Sequence, residues 1–380
     1  MSREEARALV RQLLDAANRR DIAGVMALYA ADAVAVSPVF GEVKGRARIA
    51  ATWQTLFSTF ADLVVTISDM LVDADRIAVL SAIQTTDRLG WFGLPATGGP
   101  ISYRLVLLLT VADGVIVRDE RIYDSTAVIE RLEKARLDKE LRTAAEVQRT
   151  LLPRTAHVNA FSESVGDSLP CRAIGGDFFE FVALPSGDVA IAMGDVAGKG
   201  PAAALLAALL QGMISTEAPA GGTPAAILSR MNQRLAARGL ESRFATFVYG
   251  VLSSDGRLIY SIAGHNPPVL LSRGGSVRLT TGGPILGAFS DAIFEEETQF
   301  LQDGDTIVMF TDGVTEARDA SDDEFGDDRL TTCLHTERAL PPAALLQRVL
   351  TTVAGFCRGA EQRDDITVTI TRFCRSGGSV

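Results

Sequence analysis

The sequence has few of the side chains that bind transition metals or form covalent cross-links. Its 380 residues include three histidines and four cysteines, and no two cysteines form a CxxC pair. A disulfide framework and a structural zinc site both lose support, because each requires closely patterned cysteine or histidine residues. We therefore expect free thiols in a reducing compartment at Cys171, Cys333, Cys357 and Cys374.

Excess positive charge is also lacking, and we expect no leader segment. The net charge is −10, whereas a partner held through nucleic-acid phosphates requires a basic face, so no nucleic acid is expected. The opening MSREEARALVRQLLDAANRR is charged from its third residue, unlike a signal peptide. We expect no membrane partner and no uncharged span of about 18 residues. The predicted location is cytoplasmic.

The length of 380 residues favours two domains. Apolar residues at helical spacing between Leu9 and Tyr29 predict two helices, with Tyr29 on the second. After about residue 62 the apolar runs become short and alternating, and turn signals such as Asp113-Gly114 separate them. The predicted fold class is therefore α+β, with helices first and a strongly curved antiparallel sheet after them.

Four features of residues 4–128 carry a resemblance: the two opening helices, GEVKGRARIAATWQTLFSTFADL, LGWFGLPATGG and VADGVIVRDERIYD. With these features the segment resembles the SnoaL-like, or nuclear transport factor two-like, superfamily. It implies a cone-shaped domain at 1–124, in which a bent sheet and helices enclose a pocket. Candidates for its ligand pocket are Trp53, Trp91, Phe92, Tyr103 and Arg104, with Asp119 as an acid or base.

A role of these aromatic residues in the core remains open. The domain has no histidine, so the His-Asp pair of cyclising relatives is missing. A sensory or dimerising role is favoured for this domain.

Residues 125–152 contain no glycine and predict one long linker helix. Ser125 or Thr126 is expected to cap it, and Pro153 to end it. Spacings of four and three, as in a coiled coil, relate Leu137, Leu141, Ala144, Gln148 and Leu151. Two interpretations remain: a helix that forms a parallel homodimer, and a single amphipathic connector docked on a neighbouring domain.

Beyond Pro153, apolar strands alternate with alanine- and leucine-rich helices, which indicates a second mixed α/β core. Four aspartates lie at strand ends: Asp177 in IGGDFFEF, Asp195 in VAIAMGD, Asp312 in TIVMFTDG, and Asp364 before the last strand. One such residue is usually a turn former or a helix cap. Four that converge at a sheet edge require cations to stay ionised, and oxygen ligands suit Mg²⁺ or Mn²⁺. The sequence therefore predicts a two-metal site.

The ordered motifs GGDFFEF, GDVAGKGPAAALLAALL, AGHNPP, FTDGVTEAR and RDDITV resemble the PPM-type (protein phosphatase 2C-like) catalytic domain, in its SpoIIE and RsbU branch. The similarity runs from about residue 145 to 374. It implies an α/β-β/α four-layer sandwich at 153–374, a lead-in helix that often dimerises, and two divalent cations, Mn²⁺ or Mg²⁺.

Carried over position by position, the resemblance makes Asp195 the bridge between both metals. Asp177 and the backbone carbonyl of Val196 would bind one ion, and Asp312 and Asp364 the other. Asp365 is a further candidate, with the orientation of Asp364 as its expected role. A hydroxide between the ions would attack phosphorus in line, without a phosphoenzyme.

The resemblance implies a metal-dependent serine/threonine protein phosphatase that is controlled by its N-terminal domain. The implied substrate is a phosphorylated STAS-type anti-anti-sigma regulator of a partner-switching pathway. Two alternatives remain: a non-catalytic ligand-sensing scaffold, and an N-terminal cyclase or isomerase with a regulatory C-terminal part.

Several other residues have two interpretations. Lys199 lacks the sequence context of a phosphate-binding P-loop. His265 is expected in a structural turn, with proton donation as the alternative. Arg154 and Arg172 are candidates for an arginine that grips phosphate. The acidic run at 319–329 is expected to be a solvated loop rather than a third cation site.

Overall fold

A computed structural model of the chain describes residues 1–91, 93–153, 156–239 and 244–375. The chain forms two compact units, Met1–Glu140 and Leu141–Val380, and each is described by itself. Phe92 and Arg154, which the sequence analysis named, lie outside the described residues.

The first unit combines three helices with a six-stranded sheet, and a fourth helix begins in it. The elements are α1 (Arg3–Asn18), α2 (Ile22–Ala27), β1 (Tyr29–Ser37), β2 (Gly41–Lys44), α3 (Arg46–Thr59), β3 (Val64–Asp73), β4 (Arg76–Thr86), β5 (Pro100–Ala112), β6 (Val115–Ile122) and α4 (Ser125–Leu151). The strand order is β2-β1-β6-β5-β4-β3. Register shifts in β1, β3 and β5 interrupt the pairing, and such bulges bend strands.

Three details differ from the sequence expectation. Tyr29 begins β1 rather than lying on the second helix, which ends at Ala27. The sheet is not wholly antiparallel, because β1 pairs parallel to β6. The cap of α4 is Asp124, whose carboxylate accepts the backbone N–H of Ala127 at 2.9 Å. Asp124 satisfies one of the unpaired N–H groups at the helix start, as Ser125 or Thr126 was expected to do.

The second unit is built from two six-stranded sheets. Its elements after α4 are β7 (His157–Val158), β8 (Ser162–Leu169), β9 (Phe178–Ala183), β10 (Val189–Val196), α5 (Pro201–Ala220), α6 (Pro224–Ala236), β11 (Ala245–Leu252), β12 (Arg257–Ala263), β13 (Val269–Ser272), β14 (Gly275–Arg278), β15 (Gly282–Gly283), β16 (Glu297–Phe300), β17 (Thr306–Phe310), α7 (Asp312–Thr315), α8 (Gly326–Glu337), α9 (Pro342–Phe356) and β18 (Ile366–Phe373).

These sheets form the two inner layers of a sandwich. One has the order β15-β12-β11-β10-β9, with β16 also on β12, and the other has the order β14-β13-β17-β18-β8-β7. Side chains from both sheets, such as Phe179 and Met309, share one buried cluster. Helices α5 and α6 cover the first sheet, and α8 and α9 cover the second. The arrangement is the α/β-β/α sandwich that the resemblance to the PPM-type domain implied.

Helix α5 differs from the expectation of no membrane-length apolar segment. By length and composition it would suffice to cross a membrane, with mean hydropathy 1.2 over its apolar window. A helix of this kind is weak evidence for a membrane span, because 56% of that window is buried inside the protein. It packs on β9 and β10 as a core helix.

Candidate metal centre

Strand register brings the four predicted aspartates to one edge of the second unit. Gly194 pairs with Phe178, so the next residues along β10 and β9, Asp195 and Asp177, lie opposite each other. In the other sheet, Phe310 pairs with Val368. The exit of β17, where α7 starts at Asp312, is therefore beside the entry of β18, which Asp364 precedes.

Asp177 is the most deeply buried of the four. Its side chain is 4% exposed, and its Oδ2 accepts hydrogen bonds from Thr311 at 2.7 Å and from Thr367 at 2.6 Å. Both threonines belong to the second sheet, whereas Asp177 leads into the first. The two hydroxyls therefore hold a carboxylate of one sheet against the edge of the other.

The carboxylates perturb one another because they lie close together and largely out of water. Burial, and then the charge of Asp195, raises the pKa of Asp177 well above its ordinary value. Burial, and then the charge of Asp312, raises the pKa of Asp195 to about 7. Burial, and then the charge of Asp364, raises the pKa of Asp312. Such a cluster has too little positive charge nearby to keep every carboxylate ionised.

Asp365 uses both of its carboxylate oxygens inside the protein. They accept the backbone N–H groups of Cys171 at 2.8 Å and of Gly176 at 2.7 Å. Asp365 is buried, and these two hydrogen bonds fix the loop that carries Asp177.

Two glycines allow close backbone approach in this loop and its neighbour. A Cβ on Gly176 would lie 2.8 Å from the carbonyl oxygen of Val196, and a Cβ on Gly313 would lie 2.0 Å from that of Asp365. Neither space admits a side chain, since Cβ contacts this short force the backbone to move. The backbone of Gly176 therefore lies close to the Val196 carbonyl oxygen, next to Asp195 in the chain.

A lysine that the sequence analysis had considered only as part of a P-loop lies at this edge. The Lys199 ammonium is 3.0 Å from Oδ2 of Asp364 and also donates to the carbonyl of Arg363. Among the described residues, the trio with ligand atoms all within 4.8 Å of one another is Cys171, Asp364 and Asp365. The carboxylate oxygens of the four predicted aspartates are near one another, but they do not all lie within 4.8 Å of one another.

The donor set fits hard divalent cations. Carboxylates and one backbone carbonyl supply oxygen only, which suits Mg²⁺ or Mn²⁺. The raised pKa values of three of the aspartates also favour a cation at this position, since a bound cation would stabilise the ionised form that burial opposes.

His265 is unsuited to proton donation. It is 4% exposed, its Nδ1 lies 2.8 Å from the hydroxyl of Thr246, and burial lowers its pKa to about 4. A neutral buried ring in a turn supports structure, which agrees with the interpretation that the sequence favoured.

The acidic loop at 319–329 has its own partners. Arg318 contacts Asp322 and Glu324, Arg363 contacts Asp322 at 2.8 Å, and Asp319 accepts the backbone N–H groups of Ser321 and Asp323. These contacts agree with a solvated loop. Arg172 is exposed in the loop between β8 and β9.

The first unit contains a small cavity, and the aromatic candidates Trp53, Trp91 and Tyr103 are among the residues that line it. Arg104 was wrong as a lining residue: its side chain is exposed, because neighbours along a strand point to opposite faces and Tyr103 takes the inner one. The cation at the cavity is Arg121, whose guanidinium lies 4.5 Å from the Trp53 ring centroid.

Asp119 is buried in a paired network rather than presented to a ligand. Its Oδ2 accepts from the Tyr29 hydroxyl at 2.7 Å and from Arg121 at 2.9 Å. The cavity measures about 50 Å³, whereas an engineered cavity that binds benzene is about 150 Å³. In this conformation the cavity has no room for such a ligand, and nothing in it favours catalysis.

The sequence analysis did not identify several residues that contact the aspartates. Thr311 and Thr367 stand next to predicted residues, in FTDG and in DDITV, so their proximity to Asp177 follows only from strand pairing. Lys199 lies four residues after Asp195, on the loop that leads into α5. Its partner Asp364 is far away in the sequence.

The comparisons with known proteins agree with this architecture. Residues 185–373 match the family model for stage II sporulation protein E (SpoIIE), and residues 10–119 match that for the SnoaL-like domain. The SiaA-PP2C domain of Pseudomonas aeruginosa has a similar fold, with a TM-score of 0.57 and 23% identity over 63% of this chain and 98% of that chain.

Two curated relatives also match. Phosphoserine phosphatase RsbU of Bacillus subtilis (strain 168) is 31% identical over 185 residues, 48% of this chain and 55% of that protein. Protein IcfG of Synechocystis sp. (strain ATCC 27184 / PCC 6803 / Kazusa) is 29% identical over 267 residues, 60% of this chain and 40% of that protein. The chain thus spans about half the length of these relatives. Residues 185–373 belong to the SpoIIE family of PPM-type domains, and residues 10–119 to the SnoaL-like family.

Proposed function

We propose that this protein is a metal-dependent phosphoserine/phosphothreonine protein phosphatase of the PPM type. The observation that carries the proposal is the convergence of Asp177, Asp195, Asp312 and Asp364 at one sheet edge, where burial and neighbouring carboxylates raise the pKa of each of the first three. The match to the SpoIIE family and the similarity to RsbU, described as a phosphoserine phosphatase, support it.

We propose that Asp177, Asp195 and the Val196 carbonyl hold one Mn²⁺ or Mg²⁺ ion, and that Asp195, Asp312 and Asp364 hold the other. Such ions lower the pKa of water and neutralise phosphoryl oxygens. Thr311 and Thr367 position Asp177 through its Oδ2. Asp365 positions the 171–176 loop through two backbone N–H groups. Since His265 is buried and neutral at physiological pH, the leaving serine or threonine oxygen takes its proton from water.

We propose a phosphorylated STAS-type regulator as the substrate, supplied by another chain, with the enzyme in the cytoplasm. The resemblance to RsbU supports this assignment. A non-catalytic scaffold, the first alternative, does not explain why four carboxylates converge at one sheet edge. The alternative of an N-terminal cyclase or isomerase meets a cavity of about 50 Å³ and a paired Asp119.

We propose that the N-terminal domain (1–124) controls the phosphatase domain (153–374) through the linker helix (125–152). Helix α4 contributes to both units: Val128 and Leu132 are buried in the first core, and Ala145 is buried against Ile174 and Ala204 in the second. Gln148 both donates to the Gly175 carbonyl at 2.7 Å and accepts the Gly175 N–H at 3.1 Å. Gly175 is two residues before Asp177, so a shift of α4 moves the metal-binding loop directly.

We also propose that α4 forms a parallel homodimer. Leu137 and Leu151 of the predicted seam are 55% and 46% exposed in the single chain, and Ala144 is exposed as well. Gln148 of the same seam is bonded to Gly175, and Leu141 packs with Ile174 and Ala204, which leaves Leu137, Ala144 and Leu151 for a second chain.

With manganese, the wild-type protein should hydrolyse p-nitrophenyl phosphate and a phosphorylated STAS protein. Asp195→Asn and Asp312→Asn should each lower kcat/KM at least about a hundredfold, because each removes a charged ligand. Asp291→Asn, at an exposed position between β15 and β16, is the control. Wild-type protein inactive on both substrates would overturn the proposed function.

Raising the pH from about 5 to about 8 should destabilise the metal-free protein through Asp195. The unfolded chain releases this proton near 3.8, whereas the folded chain keeps it until about 7, so the free energy of unfolding falls between these values. The stability of Asp195→Asn relative to wild type should therefore increase with pH in urea titrations after dialysis against EDTA. Saturating manganese should remove the trend; a difference independent of pH would contradict the assigned pKa.

Gln148→Ala should lower kcat/KM for p-nitrophenyl phosphate about 10- to 100-fold, since groups that position ligands act on this scale. Both backbone groups of Gly175 lose their partner, and the loop to Asp177 loses its anchor. Glu146→Ala, at an exposed position on the same helix, should match wild type. Equal activity of the two variants would show that α4 does not act through this contact.

Light scattering should give the mass of a dimer for the full chain. Leu137→Glu should shift the protein toward the monomer, because a charge in the seam opposes its burial. Ala135→Glu adds the same charge at an exposed position off the seam and should leave the dimer intact. A monomeric wild-type protein would rule out the coiled-coil interpretation.

A further inference from the structure

Lys199 lies in the aspartate cluster, and the proposed phosphatase chemistry gives it no role. It lies on the turn between β10 and α5, where Gly198 and Gly200 have φ values of +97° and +85°. Such angles favour glycine, so the two flanking glycines set the path of the loop. The turn places the lysine beside the 363–364 segment of the other sheet.

Two contacts hold the ammonium there. It pairs with Oδ2 of Asp364 at 3.0 Å and donates to the Arg363 carbonyl. Its positive charge also opposes the increase of the Asp312 pKa. Lys199 is therefore the internal cation of a cluster whose other members are negative.

The same carboxylate is a proposed metal ligand, and this creates a conflict. Asp364 has one negative charge, and a divalent ion on it would repel an ammonium only 3.0 Å away. The two cations therefore repel each other at Asp364, and each weakens the binding of the other there.

We propose that Lys199 is a resident counter-ion that competes with the divalent metal for Asp364. In the metal-free protein the ammonium neutralises Asp364 and ties the turn before α5 to the segment before β18. When a metal binds Asp364, the ammonium leaves, and both contacts of the lysine are lost. The lysine therefore weakens metal binding at the Asp312–Asp364 half of the site, and it makes that half the weaker of the two.

This inference rests on the proposed function only through the choice of metal site, and its test measures binding rather than turnover. Manganese binding to the full chain should be measured by isothermal titration calorimetry. Lys199→Met keeps the aliphatic stem and removes the charge. Its dissociation constant at the weaker site should be about threefold to fivefold lower than that of wild type, the scale of an ion pair with both partners partly exposed.

Two controls separate competition from a general charge effect. Lys134→Met removes the same charge from an exposed position on α4 and should bind manganese as wild type does. In an Asp364→Asn background, Lys199→Met should change manganese affinity little, because the carboxylate for which the two cations compete is absent.

The outcomes are distinct from those of the proposed function. Wild-type protein that binds no manganese removes the metal site and with it this inference. Wild-type protein that binds manganese, with unchanged or weaker affinity in Lys199→Met, overturns the counter-ion role alone. An unchanged affinity with a raised KM for p-nitrophenyl phosphate would assign Lys199 to the phosphoryl group instead.

Discussion

Mutual repulsion among buried carboxylates is the constraint on which the second unit depends. Asp177 and Asp195 end facing strands of one sheet, and Asp312 and Asp364 flank paired strands of the other. Because water is partly excluded, each carboxylate raises the cost of ionising its neighbour. The fold tolerates this arrangement through fixed donors: two threonine hydroxyls on Asp177, two backbone N–H groups on Asp365 and the ammonium on Asp364. Each donor comes from a segment distant in sequence, so the same contacts that offset the repulsion also join the sheets.

The sequence predicted that the four aspartates lie at strand ends, because an apolar run and the residue that ends it can be recognised without the structure. An apolar run such as VAIAMG followed by aspartate places the carboxylate at a sheet edge, whatever the tertiary context. It did not predict which partners each aspartate has, because that depends on pairing between strands far apart in the chain. Thr367 and Asp177 are separated by 190 positions and yet lie 2.6 Å apart. Lys199 was missed for the same reason, since its partner arrives from the far end of the domain.

In the first unit the sequence was less informative. Alternation along a strand decides which side chain enters the cavity, and a shift of one residue reverses the assignment. Tyr103 and Arg104 are such neighbours, and the choice between them could not be made without the pairing register. Tyr29 illustrates a second limit: a short apolar helix and the start of a strand look alike until the neighbouring strand is known. The parallel pairing of β1 with β6 settles that choice, and no local pattern indicates it.

The position of Gln148 determines how a displacement of helix α4 would affect the loop that carries Asp177. A contact that anchors both backbone groups of Gly175 transmits displacement only if the loop has two arrangements of similar free energy. The glycines at 175 and 176 lack side chains that would lock the loop, and its far end is held by Asp365. The loop therefore rests on α4 at one point and on the entry to β18 at another. A movement of the helix that breaks the first contact leaves the second in place, so the loop would pivot rather than unfold. Because Asp177 directly follows and its Oδ2 is bonded to Thr311 and Thr367, a pivot of this kind changes the separation of the aspartates only if it also loosens those two hydrogen bonds.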